Sequence, residues 1–132
     1  MIAVLDVSGV IEIVLRKERA YKFKQVLEEA ELVITPDLFV SELTNAIWKY
    51  VRSKLVSQEQ GIQHIANGVD YIDNFCLCSE FWREAFADSV KLEHSAYDMF
   101  YFSLAKKYNA ILVTNDKVLA ELCKKNNVHY CF

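Results

Sequence analysis

Short, continuously apolar runs alternate along this chain with longer segments of helical periodicity, and that alternation leaves few folds open. The runs fall at residues 1–6, 32–34, 75–79, 110–113 and 128–132. Strands that are apolar throughout, instead of every second residue, belong in a sheet covered on both faces. Between them the spacing predicts helices at 10–15, 20–30, 35–52, 57–73, 81–91, 95–108 and 116–126. Three helix starts carry their own signals. Thr35-Pro36-Asp37 offers a cap, a proline at the first helical position and an acid in the first turn. Ser57 with Gln60, and Ser95 with Asp98, each resemble a capping box. Strands separated by helices pair in parallel, so the expected architecture is a three-layer α/β/α sandwich around a central, mostly parallel sheet. At 132 residues the chain makes one domain, residues 1–132, and three Gly and one Pro leave no room for a flexible linker.

Composition narrows the function classes. A hydrophobic content of 53% argues against disorder, and a net charge of -3 argues against a general polyanion binder. A nuclease stays open, because bound metal offsets the charge of a carboxylate cluster. No signal peptide is read, and no apolar run approaches the roughly 18 residues that span a bilayer. A cytoplasmic protein without a membrane partner is expected. Cys76-Leu-Cys78 has one intervening residue, not the two of a zinc knuckle or thioredoxin-type site. In a strand both thiols would share one face, as ordinary reduced core cysteines. His64, His94 and His129 show no metal-ligand spacing, and no glycine-rich phosphate loop is present.

Four acids lie within or beside these core-forming segments. Asp6 ends the first apolar run. Glu42 falls in the second turn of the helix at 35–52. Asp98 sits inside Tyr97-Asp-Met-Phe-Tyr-Phe102, and Asp116 follows the run at 110–113. In a parallel sheet, ligands bind outside the carboxyl ends of the strands. Element order alone therefore brings all four acids to one rim. Embedded carboxylates are costly unless a positive charge pairs with them, which points to a metal ion. A set of oxygen ligands suits Mg²⁺ or Mn²⁺ and fits zinc poorly. Such an ion lowers the pKa of a bound water and clamps phosphate oxygens, the two requirements of phosphodiester hydrolysis. Ser8, Thr114 and Asn115, beside the acids, are placed to orient a carboxylate, a metal-bound water or a phosphate. Each feature also has an ordinary reading. The hydroxyls and the amide are common helix caps. Asp98 reads as the last residue of a capping box, Glu42 as a partner of Lys49 or Arg52, and Asp116 as a turn residue. Asp6 has least to gain structurally from its position.

Four segments together resemble the PIN domain family, and within it the VapC-like toxin ribonucleases. They are Val4-Leu-Asp-Val-Ser8, Pro36-Asp-Leu-Phe-Val-Ser-Glu-Leu-Thr-Asn-Ala46, Tyr97-Asp-Met-Phe-Tyr-Phe-Ser-Leu-Ala105 and Leu112-Val-Thr-Asn-Asp-Lys-Val-Leu119. The resemblance implies a Mg²⁺- or Mn²⁺-dependent endoribonuclease with Asp6, Glu42, Asp98 and Asp116 as metal-binding acids and Thr114 as a supporting hydroxyl. It also implies an RNA substrate, a cognate antitoxin and a homodimer. Gly9 departs from the family's larger residue and is expected to loosen the loop after Asp6; Asn115 replaces a small residue. Lys49, Arg52 and Lys117 are the cations expected to guide RNA. Asp6→Asn or Asp98→Asn is expected to abolish cleavage while sparing the fold. Rival readings are a PIN nuclease of RNA processing and a non-catalytic RNA- or protein-binding module on the same fold. A haloacid-type phosphatase would need an Asp where Ser8 stands, and a receiver domain finds no phosphoacceptor in Leu32-Val-Ile-Thr-Pro36.

Overall fold

A computed structural model describes residues 1–132. The first half of the chain runs β1 (Ile2–Leu5), α1 (Val7–Val14), α2 (Ala20–Glu29), β2 (Leu32–Pro36), α3 (Leu38–Arg52) and α4 (Gln58–Asp70). The second half runs β3 (Asn74–Cys76), α5 (Cys78–Leu92), α6 (Ala96–Tyr108), β4 (Ile111–Val113), α7 (Lys117–Lys125) and β5 (Tyr130–Cys131). The five strands form one sheet in the order β3-β2-β1-β4-β5. Every pair is parallel, beyond the mostly parallel sheet expected from the order of elements.

Strand order and handedness set the layers. From β1 the chain steps to β2 and β3, then crosses back to β4 and β5. Right-handed crossovers therefore put α1–α4 on one face and α5–α7 on the other. In the first layer α1 packs against α2, α3 and α4; in the second, α6 packs against α5, α7 and the central strands. The stretch from Tyr101 to Ala105 in α6 is buried at every position, so this helix is enclosed nearly all round. That enclosure is why its apolar residues follow no single stripe. The direction of travel reverses between β1 and β4, which opens a crevice at their carboxyl ends. Asp6 follows β1, and Thr114, Asn115 and Asp116 follow β4, so these residues flank that crevice.

Several local expectations change. Thr35 is not a helix cap: it lies buried in β2 and its hydroxyl donates to the Leu5 carbonyl at 2.8 Å. Pro36 ends that strand, and α3 begins after Asp37. Ser57 and Gln60 do form the capping box, whereas Ser95 makes no side-chain cap bond. The expected strand at 75–79 is shorter. It ends at Cys76, and Cys78 already belongs to α5, so the two thiols do not alternate along one strand. Non-helical backbone at Phe81 (φ −140°, ψ 20°) kinks α5 near its start. All four cysteines are free thiols, and no helix is long and apolar enough to cross a membrane.

Candidate active site

Asp6 does two jobs. As the residue before α1 it caps that helix, Oδ1 accepting from the Gly9 N–H at 2.7 Å. The same oxygen accepts from the Ser8 hydroxyl at 2.7 Å, and the Thr114 hydroxyl donates to Oδ2. Burial pushes the Asp6 carboxyl up to about 7, against the pull of these donors, and the charge of Asp98 pushes the same way. The surrounding bonds join β1 to β4. Asp6 N–H donates to the Val113 carbonyl at 3.2 Å. Asn115 N–H donates to Ser8 Oγ at 2.8 Å, and Asp116 N–H donates to Thr114 Oγ1 at 3.0 Å. Gly9 does not loosen this region. A Cβ there would lie 2.8 Å from the Val113 carbonyl oxygen, so glycine is what lets α1 approach the end of β4.

Two more acids approach from other elements. Glu42, half-buried on α3, accepts from the Tyr101 hydroxyl at 2.7 Å, not from Lys49 or Arg52. Burial raises its pKa and Asp98 adds to the shift. The Tyr101 phenol is itself pushed up by burial and by the Glu42 charge. Asp98, in the first turn of α6, turns away from capping and places Oδ2 2.8 Å from His94 Nε2. Its charge raises the pKa of both Asp6 and Glu42. Glu42 Oε2 and Asp98 Oδ1 have no hydrogen-bond partner in the protein.

Asp116 reaches the same rim but faces its own helix. Its Oδ1 accepts from Val118 and Leu119 N–H at 2.9 and 3.1 Å, capping α7. No three His, Cys, Asp or Glu side chains close into a direct ligand set. The donor chemistry nevertheless suits a hard divalent ion: Asp6, Glu42 and Asp98 offer only oxygen, burial shifts two of them upward, and Mg²⁺ commonly keeps several waters between itself and the protein.

Two of the three expected cations stand off from the acids: along α3, Lys49 and Arg52 lie about 10 and 15 Å from Glu42. Arg52 stacks on Trp48 at 4.7 Å. Lys117 does open α7 beside Asp116. The unforeseen cation is Arg19, which donates to Asn115 Oδ1 at 2.5 Å and stacks on Phe132 at 4.1 Å. Sequence reasoning also missed His94 and Tyr101. His94 had a usable signal in its four-residue spacing from Asp98, whereas Tyr101 meets Glu42 only through the fold. A groove of about 1160 Å³ is lined by residues of α1–α4 and their connections, and contains none of the four candidate site acids.

The PIN domain family model matches residues 3–125. This chain is a PIN domain. The PIN domain is 28% identical over 120 residues to Ribonuclease VapC3 of Pyrobaculum aerophilum, covering 89% of this chain and 92% of that protein. Its fold matches the crystal structure of PAE2754 from Pyrobaculum aerophilum with a TM-score of 0.71 at 20% identity, over 92% of this chain and 86% of that one. It also matches VapBC2 from Rickettsia felis, bound to a DNA fragment from the promoter, with a TM-score of 0.69 at 16% identity over 99% and 98% of the two chains. At those identities the two structures speak for the α/β/α fold.

Proposed function

We propose that this PIN domain is a Mg²⁺- or Mn²⁺-dependent endoribonuclease and the toxin of a type II toxin–antitoxin pair. The observation that carries the chemistry is the buried Asp6 carboxylate, held by Ser8, Gly9 and Thr114 at the crevice between β1 and β4, with Glu42 and Asp98 on the adjoining helices. The similarity to Ribonuclease VapC3 supports RNA as the substrate and the toxin assignment. Asp6, Glu42, Asp98 and Asp116 are the residues that would hold the ion, directly or through water. When bound, a divalent ion supplies an activated water and charge neutralisation at the phosphate. Ser8 and Thr114 fix the Asp6 carboxylate, and Tyr101 fixes Glu42. Asn115 holds Arg19 beside the rim, where its guanidinium suits an RNA phosphate. Water attacks the phosphodiester phosphorus and the P–O bond to the next nucleoside breaks.

The protein works in the cytoplasm as a homodimer with a cognate antitoxin. Support for a partner surface comes from α5, where Trp82, Phe86 and Val90 recur at four-residue spacing and remain 46%, 62% and 64% exposed. Incubating the protein with single-stranded and structured RNAs, with Mg²⁺, Mn²⁺ or chelator, tests the reaction. Cleavage is expected only with metal, and Asp98→Asn is expected to lower its rate by at least about 100-fold. Wild-type cleavage in chelator, or undiminished cleavage by Asp98→Asn, would overturn the assignment.

A further inference from the structure

We infer that His94 is a positioning residue: it holds Asp98 with one carboxylate oxygen turned to the ion and the other tied back to the protein. The inference rests on the nuclease reading above and extends it to a side chain outside the acid set.

His94 is built into place from its backbone outward. Glu93 adopts left-handed backbone (φ 52°, ψ 47°) and ends α5. His94 N–H then donates to the Ser89 carbonyl, and the Ser89 hydroxyl donates to the His94 carbonyl. Both backbone polar groups of His94 are thus fixed to the last turns of α5. Its side chain is only 19% exposed, against 34% for Asp98. From this anchored position Nε2 meets Asp98 Oδ2 at 2.8 Å. A carboxylate in the first turn of a helix ordinarily has the free helix N–H groups to bond. Asp98 reaches His94 instead, and Oδ1 is left without a protein partner. A hydrogen bond to one oxygen restricts the carboxylate rotamer, and partners of ligating carboxylates typically carry 10–100-fold in metal affinity. The other carboxylates are held in the same manner, Glu42 by Tyr101 and Asp6 by Ser8 and Thr114. Without His94, Asp98 would be the one acid among the three with no side-chain partner.

Mn²⁺ binding by calorimetry, with RNA cleavage beside it, tests this on the full chain as wild type, His94→Ala, His94→Gln and Asp98→Asn. Gln presents an N–H donor at about the reach of Nε2, so it is expected to stay within about threefold of wild type. His94→Ala is expected to weaken Mn²⁺ binding by about 10-fold or more, with the loss of cleavage recovered at high Mn²⁺ and KM for RNA unchanged. Thermal unfolding separates this from a general loss of fold, and the Gln variant keeps the test sound if the Ala variant unfolds. Wild-type Mn²⁺ affinity in His94→Ala, with Asp98→Asn impaired, overturns the role of His94 alone. Equal impairment of the Gln and Ala variants also overturns it. A wild-type protein that neither binds Mn²⁺ nor cleaves RNA overturns both this inference and the nuclease reading.

Discussion

Asp6 concentrates the electrostatic tension of the site. Its carboxyl ionises near 3.8 in an unfolded chain and about 7 in the folded one. Between those values the folded protein binds the extra proton, so stability falls as pH rises. The contribution is fully present below about pH 4 and lost as pH passes through about 7. With chelator present, wild type is expected to lose roughly 3 kcal/mol relative to Asp6→Asn between about pH 4.5 and 8. Urea unfolding of both proteins at the two pH values measures this, and parallel pH profiles would contradict it. Mg²⁺ should restore wild-type stability at the upper pH. At this scale much of the site is legible in the sequence, because Asp6 and Asp116 mark strand ends. The contacts that hold the acids are less so: Tyr101 and Glu42 are 59 residues apart, and Arg19 and Asn115 are 96 apart. Only packing brings such pairs together.

Among the elements, the join between α1 and β4 bears most directly on the rim. The added methyl of Gly9→Ala would lie 2.8 Å from the Val113 carbonyl and 3.3 Å from Asp6 Oδ1. Backbone must move to admit it, at an expected cost of about 1–3 kcal/mol. A shift in the urea midpoint without a change in slope would register that cost, and an unshifted midpoint would show the join to be slack. The apolar runs located all five strands correctly, because continuous burial leaves a strong signature. Boundaries failed where one residue type serves two structures. Thr35-Pro36 has the form of a helix start, yet a strand end also tolerates proline, and the Thr35 hydroxyl finds the Leu5 carbonyl instead of a helix N–H. Ser95 and Asp98 have capping-box spacing, but His94 competes for the carboxylate.

For the whole molecule, topology explains why residues distant in sequence meet at the crevice. Reversal of the strand order between β1 and β4 brings residues 6 and 114 together, and α6, packed beneath, delivers Asp98 and Tyr101. The outer surface is a separate matter. Phe86 is 62% exposed at the centre of the α5 stripe. Light scattering is expected to find a dimer for wild type and a monomer for Phe86→Asp, with unfolding free energy within about 0.5 kcal/mol for the isolated fold. A dimer that survives Phe86→Asp would place the contact elsewhere.

The double duty of Asp6 limits which replacements this position can accept. Alanine removes both the negative charge and the acceptor that caps α1. Asparagine keeps an oxygen for the Gly9 N–H and is as good a cap as aspartate. With the role proposed for Asp6, one exchange here would retire the chemistry and retain the scaffold. The distance between a nuclease of this architecture and an inert binding protein would then be a single amide.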